Sequence, residues 1–428
     1  MQLFVWDKSF HKKFERGYGH VFDKEVAKKV NRILQEVRTR GDSALCRYTR
    51  EFDRVDLPLK KLRVSEGDIN RAFEKVEFPF VPLLKQMMEN VKAYYQKELR
   101  KAFQVRARDG VMLGKRYHPL KRVGIYIPGG TAPLVSTVYM TVIPAKVAGV
   151  KEIVIATPPN RDTGEIDPHI LTVANLLGVS EIYRVGGAQA IGALAFGTRT
   201  MEKVEKIVGP GNPYVAEAKR QVYGFVDIDM VAGPSEVAII ADSESDPDYI
   251  TCDLLAQSEH FGGTAYLITN SKKLAEALRK RVDKGTIFLV KSLVEACQVV
   301  DEIAPEHLEI LTQKPQRLLN RIRNAGAIFL GPYSPAVIGD YIAGPSHVLP
   351  TAGTARYFSP LSASSFVKSS QVISYTKEAL EKVREPIRKL TEMEGMTLHR
   401  ISLEVRFTEK RDSISKTKEP EHELVKKI

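Results

Sequence analysis

A chain of 428 residues with 43% hydrophobic and 27% charged content has the composition of a globular protein, and its length implies two or three domains. A formal charge of +12 and a pI of about 9.3 suit anionic ligands such as a dinucleotide. The excess is spread evenly, with no basic block or zinc-finger signature, which argues against nucleic acid. Cys46, Cys252 and Cys297 form no CxxC pair, so a disulfide framework is excluded and a reducing compartment fits.

The first 23 residues are mixed and charged, with no signal-peptide pattern. The uncharged run 123–145 is long enough to span a bilayer. It also holds Pro128, Gly129, Gly130, Pro133 and Pro144, which suit loops better than one membrane helix. The expectation is a soluble cytoplasmic protein with no membrane partner.

Residues 24–108 read as helical. Val26, Val30, Ile33, Leu34 and Val37 follow a helical stripe that stops at Gly41. Ser65-Glu66-Gly67-Asp68 resembles a capping box, and 83–103 reads as one long amphipathic helix. From about 120 the rhythm becomes strand, glycine turn, helix. Apolar strands are expected at 123–127, 153–156, 182–185, 206–208 and 226–229, then at 236–241, 264–269, 286–290, 308–311 and 327–330. This is the sequence form of parallel sheets covered on both faces. The fold class expected is α/β: two successive Rossmann-like parallel-sheet units with an N-terminal helical region and a C-terminal arm. The domains would be 1–120, 121–234, 235–376 and 377–428. A small-residue loop tract is expected at 342–365, a helix at 377–393, a strand-like tail at 394–407 and a polar lysine-rich end.

Three turns leave strands of the first unit: Tyr126-Ile127-Pro128-Gly129-Gly130-Thr131, Val185-Gly186-Gly187-Ala188-Gln189 and Gly209-Pro210-Gly211-Asn212. Glycines there let backbone approach a phosphate or a flat ring, and C-terminal strand ends are where open α/β sheets bind ligands. No GxGxxG fingerprint accompanies them, and each alone also reads as an ordinary tight turn. Gly233-Pro234-Ser235-Glu236 stands where the first sheet hands over to the second, either as a substrate contact or as a linker turn.

Gln257-Ser258-Glu259-His260-Phe261-Gly262 ends an apolar run. If that run is helical, Gln257 and His260 share a face and could hold a metal or polar substrate. The alternative is a plain helix C-terminus capped by Gly262. Pro305-Glu306-His307 puts an acid and an imidazole side by side. On an extended chain they would point to opposite sides and divide water activation from proton transfer. Of nine histidines, His11, His20 and His422 have polar surroundings. His118 and His169 have no suggestive company. His260, His307, His347 and His399 lie beside acidic or glycine-rich segments, among them Gly339-Asp340 and Glu394-Gly395, a mixture of zinc-ligand types.

Taken in order, Tyr126-Ile-Pro-Gly-Gly, Val185-Gly-Gly-Ala-Gln-Ala, Gly209-Pro-Gly-Asn, Ala232-Gly-Pro-Ser-Glu, Gln257-Ser-Glu-His, Ala304-Pro-Glu-His, Gly339-Asp-Tyr, His347-Val-Leu-Pro and Glu394-Gly-Met-Thr-Leu-His resemble the histidinol dehydrogenase family over about 20–407. The resemblance implies oxidation of L-histidinol to L-histidine through a held aldehyde, with two NAD⁺ and one zinc ion per subunit. By motif position it implies zinc ligands Gln257, His260, Asp340 and His399. It implies an acid–base pair Glu306 and His307, and substrate contacts that add Ser235 and Glu394 to the ligands and His307. For NAD it implies Tyr126, Gln189 and Asn212. It also implies a homodimer whose C-terminal arm carries Glu394 and His399 into the neighbour's site. Two rivals remain from the residues alone. A zinc hydrolase would use the same ligands but not the three turns; a nucleic-acid-binding protein would use the charge but not the ligands.

Overall fold

The computed structural model describes residues 1–6, 23–77, 79–99, 101–106, 110–129, 133–260 and 262–407. His11, His20, His422, Gly130 to Ala132 of the first glycine turn, Phe261 and the lysine-rich end lie outside them. Two compact units form, one from residues 1–99 and 119–368 and the other from 100–118 and the described residues after 368.

The N-terminal stripe becomes the helix Lys24–Arg40, with Val30, Ile33, Leu34 and Val37 buried. Asp23 caps its start and Gly41, at φ +53°, ends it. Ser65 caps the helix Glu66–Arg71 by accepting the Asp68 N–H. The long helix runs Phe80–Gln96, stopping short of the expected end because Phe103 already belongs to a strand.

The strands are β1 (Gln2–Val5), β2 (Phe103–Arg106), β3 (Val111–Pro119), β4 (Arg122–Tyr126), β5 (Glu152–Thr157), β6 (Glu181–Arg184), β7 (Lys206–Val208), β8 (Asp227–Ile228), β9 (Glu236–Ala241), β10 (Thr264–Thr269), β11 (Thr286–Leu289), β12 (His307–Ile310), β13 (Ala327–Leu330) and β14 (Val367–Tyr375). The ten expected strands are β4 to β13. The first sheet runs β6-β5-β4-β7-β8 and the second β1-β11-β10-β9-β12-β13, with every pair parallel. Alternation sorts their side chains to two buried faces. Val123, Ile125, Ile153 and Ile155 go to one side of the first sheet, and Tyr126, Val154 and Ala156 to the other. In the second, Ala238 and Ile240 oppose Val237, Ile239 and Ala241. Apolar burial on both faces is what made these strands continuous hydrophobic runs.

β1 was not expected. It pairs with β11, Gln2 opposite Thr286, and makes the second sheet six-stranded. The second unit holds a sheet ordered β14-β3-β2, with β2 and β3 antiparallel, and the helices Lys377–Met393 and Thr397–Glu404. The expected strand character of 394–407 is therefore corrected to helix: Gly395, at φ +68°, ends one helix and the chain restarts another. Arg384 ties the two, donating from Nε to Glu404 Oε2 at 3.0 Å.

Candidate active site

At the C-terminal edge of the first sheet the glycine turns share one cleft of about 1230 Å³, lined by Tyr126, Gly187, Gln189 and Asn212 among others. Gly209 sits at φ +120°, and a Cβ there would stand 2.1 Å from the Tyr126 carbonyl oxygen, so only glycine permits this approach. Gly187, at φ +63°, donates its N–H to the Tyr126 hydroxyl at 3.1 Å. Burial pushes that hydroxyl up to about 12, against the pull of the Gly187 N–H, so it remains a neutral donor. Gln189 is 1% exposed, and neither its amide oxygen nor its nitrogen has a partner. An unsatisfied buried amide costs about 1–3 kcal/mol, and a ligand in the cleft would relieve it. Asn212 caps the helix Pro213–Val222 by accepting the Val215 N–H at 3.1 Å. Asp53 lines the same cleft and was not singled out from sequence. Burial pushes its carboxyl up to about 6 against Arg161, and its Oδ2 has no partner.

Glu306 and His307, the expected acid–base pair, lie at the N-terminal edge of the second sheet. Glu306, just before β12, takes the Ser235 hydroxyl at 2.6 Å and the Glu236 N–H at 2.9 Å on Oε2. His307 opens β12. Its Nδ1 lies 3.1 Å from the Glu236 carbonyl and 3.5 Å from Glu306 Oε2, and its Nε2 lies 3.6 Å from Asp340 Oδ1 with no hydrogen-bond partner. A nitrogen facing a carbonyl must carry the proton, so Nδ1 donates and Nε2 is the nitrogen free for chemistry. The expectation that Glu306 and His307 point to opposite sides is corrected. Glu306 precedes the strand, and both side chains turn to Glu236. Burial alone would lower the His307 pKa, but Glu306 and Asp340 push it up to about 9. Burial also raises Glu306, opposed by His307, Ser235 and the Glu236 N–H.

Gln257 and His260 do not share a helix face as the sequence suggested. The α-helix Pro247–Ala256 tightens into a 3₁₀ turn Gln257–Glu259, and His260 is already extended at φ −78°, ψ 129°. Gly263 lets the turn close, since a Cβ there would lie 2.3 Å from the Gln257 carbonyl oxygen. Gln257 is 7% exposed, with its amide nitrogen unpartnered. Asp340 lies on the helix Ala336–Tyr341. Glu394, the residue ending the helix Lys377–Met393, and His399 on Thr397–Glu404 belong to the second unit and are exposed. Among the described residues no group of three or more His, Cys, Asp and Glu is placed to hold a metal. The first unit's expected ligands include only two of those types, His260 and Asp340, beside the Gln257 amide. As a donor set, amide oxygen, imidazole and carboxylate fit a borderline divalent cation.

His347, from a motif already noted, and Glu309, which gave no sequence signal, complete the cluster. His347 is half-buried, and desolvation lowers its pKa. Its Nδ1 lies 3.0 Å from the Asp340 carbonyl and its Nε2 3.3 Å from Thr137 Oγ1, bridging the acid–base cluster to the helix Val135–Ala148 that follows β4. Glu309 is fully buried and accepts the Ala336 N–H at 2.7 Å. Burial, then the nearby Asp253 carboxylate, push its carboxyl up to about 8, and its Oε2 has no partner. The sequence places Glu309 two positions after His307, but its acidic neighbour is visible only in three dimensions.

The family model for histidinol dehydrogenase matches residues 19–407. A histidinol dehydrogenase of Bacillus cereus is 47% identical over 415 residues, 92% of this chain and 96% of that protein. One from Clostridium acetobutylicum is 46% identical, covering 90% and 93%. The crystal structure of histidinol dehydrogenase from Elizabethkingia anophelis aligns with a TM-score of 0.88 at 33% identity, over 95% of this chain and 98% of that one.

Proposed function

The chain belongs to the histidinol dehydrogenase family, oxidoreductases of histidine biosynthesis, and from that premise we propose that it oxidises L-histidinol to L-histidine through a bound aldehyde, passing two hydrides to two NAD⁺ with one zinc ion per subunit. The observation that carries this reading is the pairing of a buried acid–base couple with a cleft whose lining amide, Gln189, has no partner. Residues 121–234 are assigned to NAD and 235–376 to the acid–base and metal chemistry.

His307 Nε2 takes the alcohol proton, with Nδ1 anchored on the Glu236 carbonyl. Glu306, oriented by Ser235 and the Glu236 N–H, activates the water that adds to the aldehyde before the second oxidation. Ser235 also contacts the substrate. Tyr126, Gln189 and Asn212 hold NAD, which accepts the hydrides. Zinc on Gln257, His260, Asp340 and His399 would fix the substrate's imidazole and amine and, by occupying Asp340, loosen the hold on the His307 proton.

The subunits are taken to pair as a homodimer, with Glu394 and His399 serving the neighbour's site. In support, both are exposed, and Leu390, Met393, Met396 and Leu398 around them are exposed too, an apolar surface a second copy would cover. The enzyme would work in the cytoplasm. Among the described residues no helix is long and apolar enough to cross a membrane.

Histidinol-dependent NADH formation with two NADH per histidinol, lost with the metal to a chelator and restored by zinc, is the expected result. Zinc-loaded protein that leaves histidinol untouched overturns the reading. For the shared site, protein truncated after Arg388 and a His260→Ala protein should each be inactive, and mixing them should recover activity. No recovery after re-annealing argues for a site built within one chain.

A further inference from the structure

Behind the cofactor turns lies an ion pair enclosed by the first unit. Lys219, on the helix Pro213–Val222, pairs with Asp229, the residue after β8, and their side chains are 2% and 1% exposed. Both reach the same residue. Asp229 Oδ2 accepts the Gly209 N–H at 2.8 Å, and Lys219 Nζ donates to the Gly209 carbonyl at 2.9 Å. The anion thus holds one end of Gly209 and the cation the other. Asp229 Oδ1 also accepts the Met230 N–H at 2.6 Å, which fixes the carboxylate from its own backbone.

Gly209 is the residue pressed against the Tyr126 carbonyl at φ +120°. Tyr126 in turn takes the Gly187 N–H on its hydroxyl, two residues before Gln189. On the other side, Gly209 leads in three residues to Asn212, which caps the helix that carries Lys219. One clamped glycine therefore connects all three cofactor turns. A buried ion pair is a poor device for stability alone, because apolar side chains of similar volume are often as stable in its place. Apolar side chains cannot hold the N–H and C=O of a single residue in opposite directions.

We propose that the Lys219–Asp229 pair is a positioning device for the cofactor cleft, fixing Gly209 and through it the register of Tyr126, Asn212 and the Gly187–Gln189 turn before NAD arrives. The inference rests on the reading of this cleft as the NAD site. Its energetic role is pre-organisation: a turn already held in its binding conformation is not ordered at the expense of affinity.

The test is steady-state kinetics on the zinc-loaded enzyme, varying NAD and histidinol separately, for Lys219→Met and for the double variant Lys219→Met/Asp229→Asn. The single variant leaves a buried carboxylate unpaired and is expected to lose stability. The double variant leaves no unpaired charge, and asparagine can still accept the Gly209 N–H. It should lose less stability than the single variant, keep the histidinol KM, raise the KM for NAD about tenfold, and leave kcat at saturating NAD within about twofold. A merely structural pair would move stability and leave the KM for NAD at the parent's value, which overturns the proposal. If the double variant does not fold, hydrogen exchange of the Gly209 amide in the unaltered enzyme decides. Equal protection with and without NAD supports a turn set in advance, and protection gained only with NAD overturns it. Gln189→Ala separates the two layers. If it leaves the KM for NAD unchanged, the cofactor reading fails and takes the proposal with it. If it raises that KM while the double variant does not, only the clamp fails.

Discussion

The two sheets of the first unit present opposite ends of their strands to chemistry. On the first sheet the cofactor turns follow β4, β6 and β7, at the C-terminal ends. On the second, Glu236, Thr264 and His307 open β9, β10 and β12, and Ser235, His260 and Glu306 lie just before them. Each edge inherits its electrostatics from the helices beside it. Helices start after the first edge, at Gly187 and Pro213, so free N–H groups and positive dipole ends face the cleft, which suits a diphosphate. Helices end before the second edge, at Ala256 and Ile303, so carbonyls and negative dipole ends gather there, which suits cations. The His307 imidazole on the Glu236 carbonyl, raised to about 9, belongs to that environment. The C-terminal-edge rule for parallel sheets thus describes the proposed cofactor half and not the proposed acid–base half.

The largest effect should come from the second edge. Glu306→Gln keeps the hydrogen bond from Ser235 but removes the base, and such losses typically cost about 10²–10⁴ in rate. Rapid mixing with histidinol and NAD⁺ should then release about one NADH per site and stall before the second oxidation, whereas His307→Asn should slow both halves. Two NADH at the parent's rate from Glu306→Gln would reduce that carboxylate to scaffolding.

Next comes the first edge's need for glycine. Gly209→Ala meets both a positive φ and the Tyr126 carbonyl, so strain and crowding add to about 2–5 kcal/mol, read from urea unfolding. Gly224 shares a positive φ, +101°, but a Cβ there meets nothing within 4 Å. Gly224→Ala should therefore cost only about 1 kcal/mol. Equal losses at both positions would show that close approach to Tyr126 is not what selects glycine.

The Glu309–Asp253 pair gives the second edge a pH signature. Burial pushes Glu309 up to about 8 in the folded chain, against its ordinary value of 4.5. Between those values the folded chain binds more protons than the unfolded one, so this group's contribution to stability falls as pH rises from about 4.5 to 8 and is level above. Glu309→Gln removes that slope. Its stability relative to the parent should rise by on the order of 2–4 kcal/mol between pH 5 and 8, measured by urea midpoints at each pH. A parallel shift at both pH values would mean that burial does not raise the Glu309 carboxyl.

The smallest effects test whether the edges are separable. His260→Ala and Asp340→Ala should each weaken zinc by at least about tenfold in metal competition, while Gln189→Ala should raise the KM for NAD by about tenfold, the value of one good hydrogen bond. Metal loss in Gln189→Ala would fuse the two edges into one site.

Much of this was legible in the chain, for physical reasons. β4 to β13 announced themselves because strands buried on both faces are apolar at most positions. The glycine turns were visible because positive φ and close backbone approach leave no alternative at Gly187 and Gly209. β1 gave no such sign: four residues carry little periodicity, and their partner lies far along the chain. β14 is mostly exposed, so no burial pattern marks it. The eight-residue helix Thr397–Glu404 is too short for its period to outweigh its β-branched residues. The site motifs were readable as residue types, but not their arrangement. Lys219 with Asp229 and Asp253 with Glu309 each join through space what the sequence keeps apart.

The pairing of β1 with β11 sets an order of events during synthesis. Gln2 leaves the ribosome well ahead of Thr286, its partner, which is 284 positions behind, a wait of roughly a quarter of a minute to a minute at ordinary translation rates. The first sheet, complete by Ile228, can close during that wait, while the opening strand remains a free ribbon. Once it docks, it covers the outer side of β11, whose Thr-Ile-Phe-Leu sequence would otherwise be an apolar edge open to another nascent chain. A strand made early is thus held in reserve until β11 appears, and it acts there as the sheet's guard against aggregation.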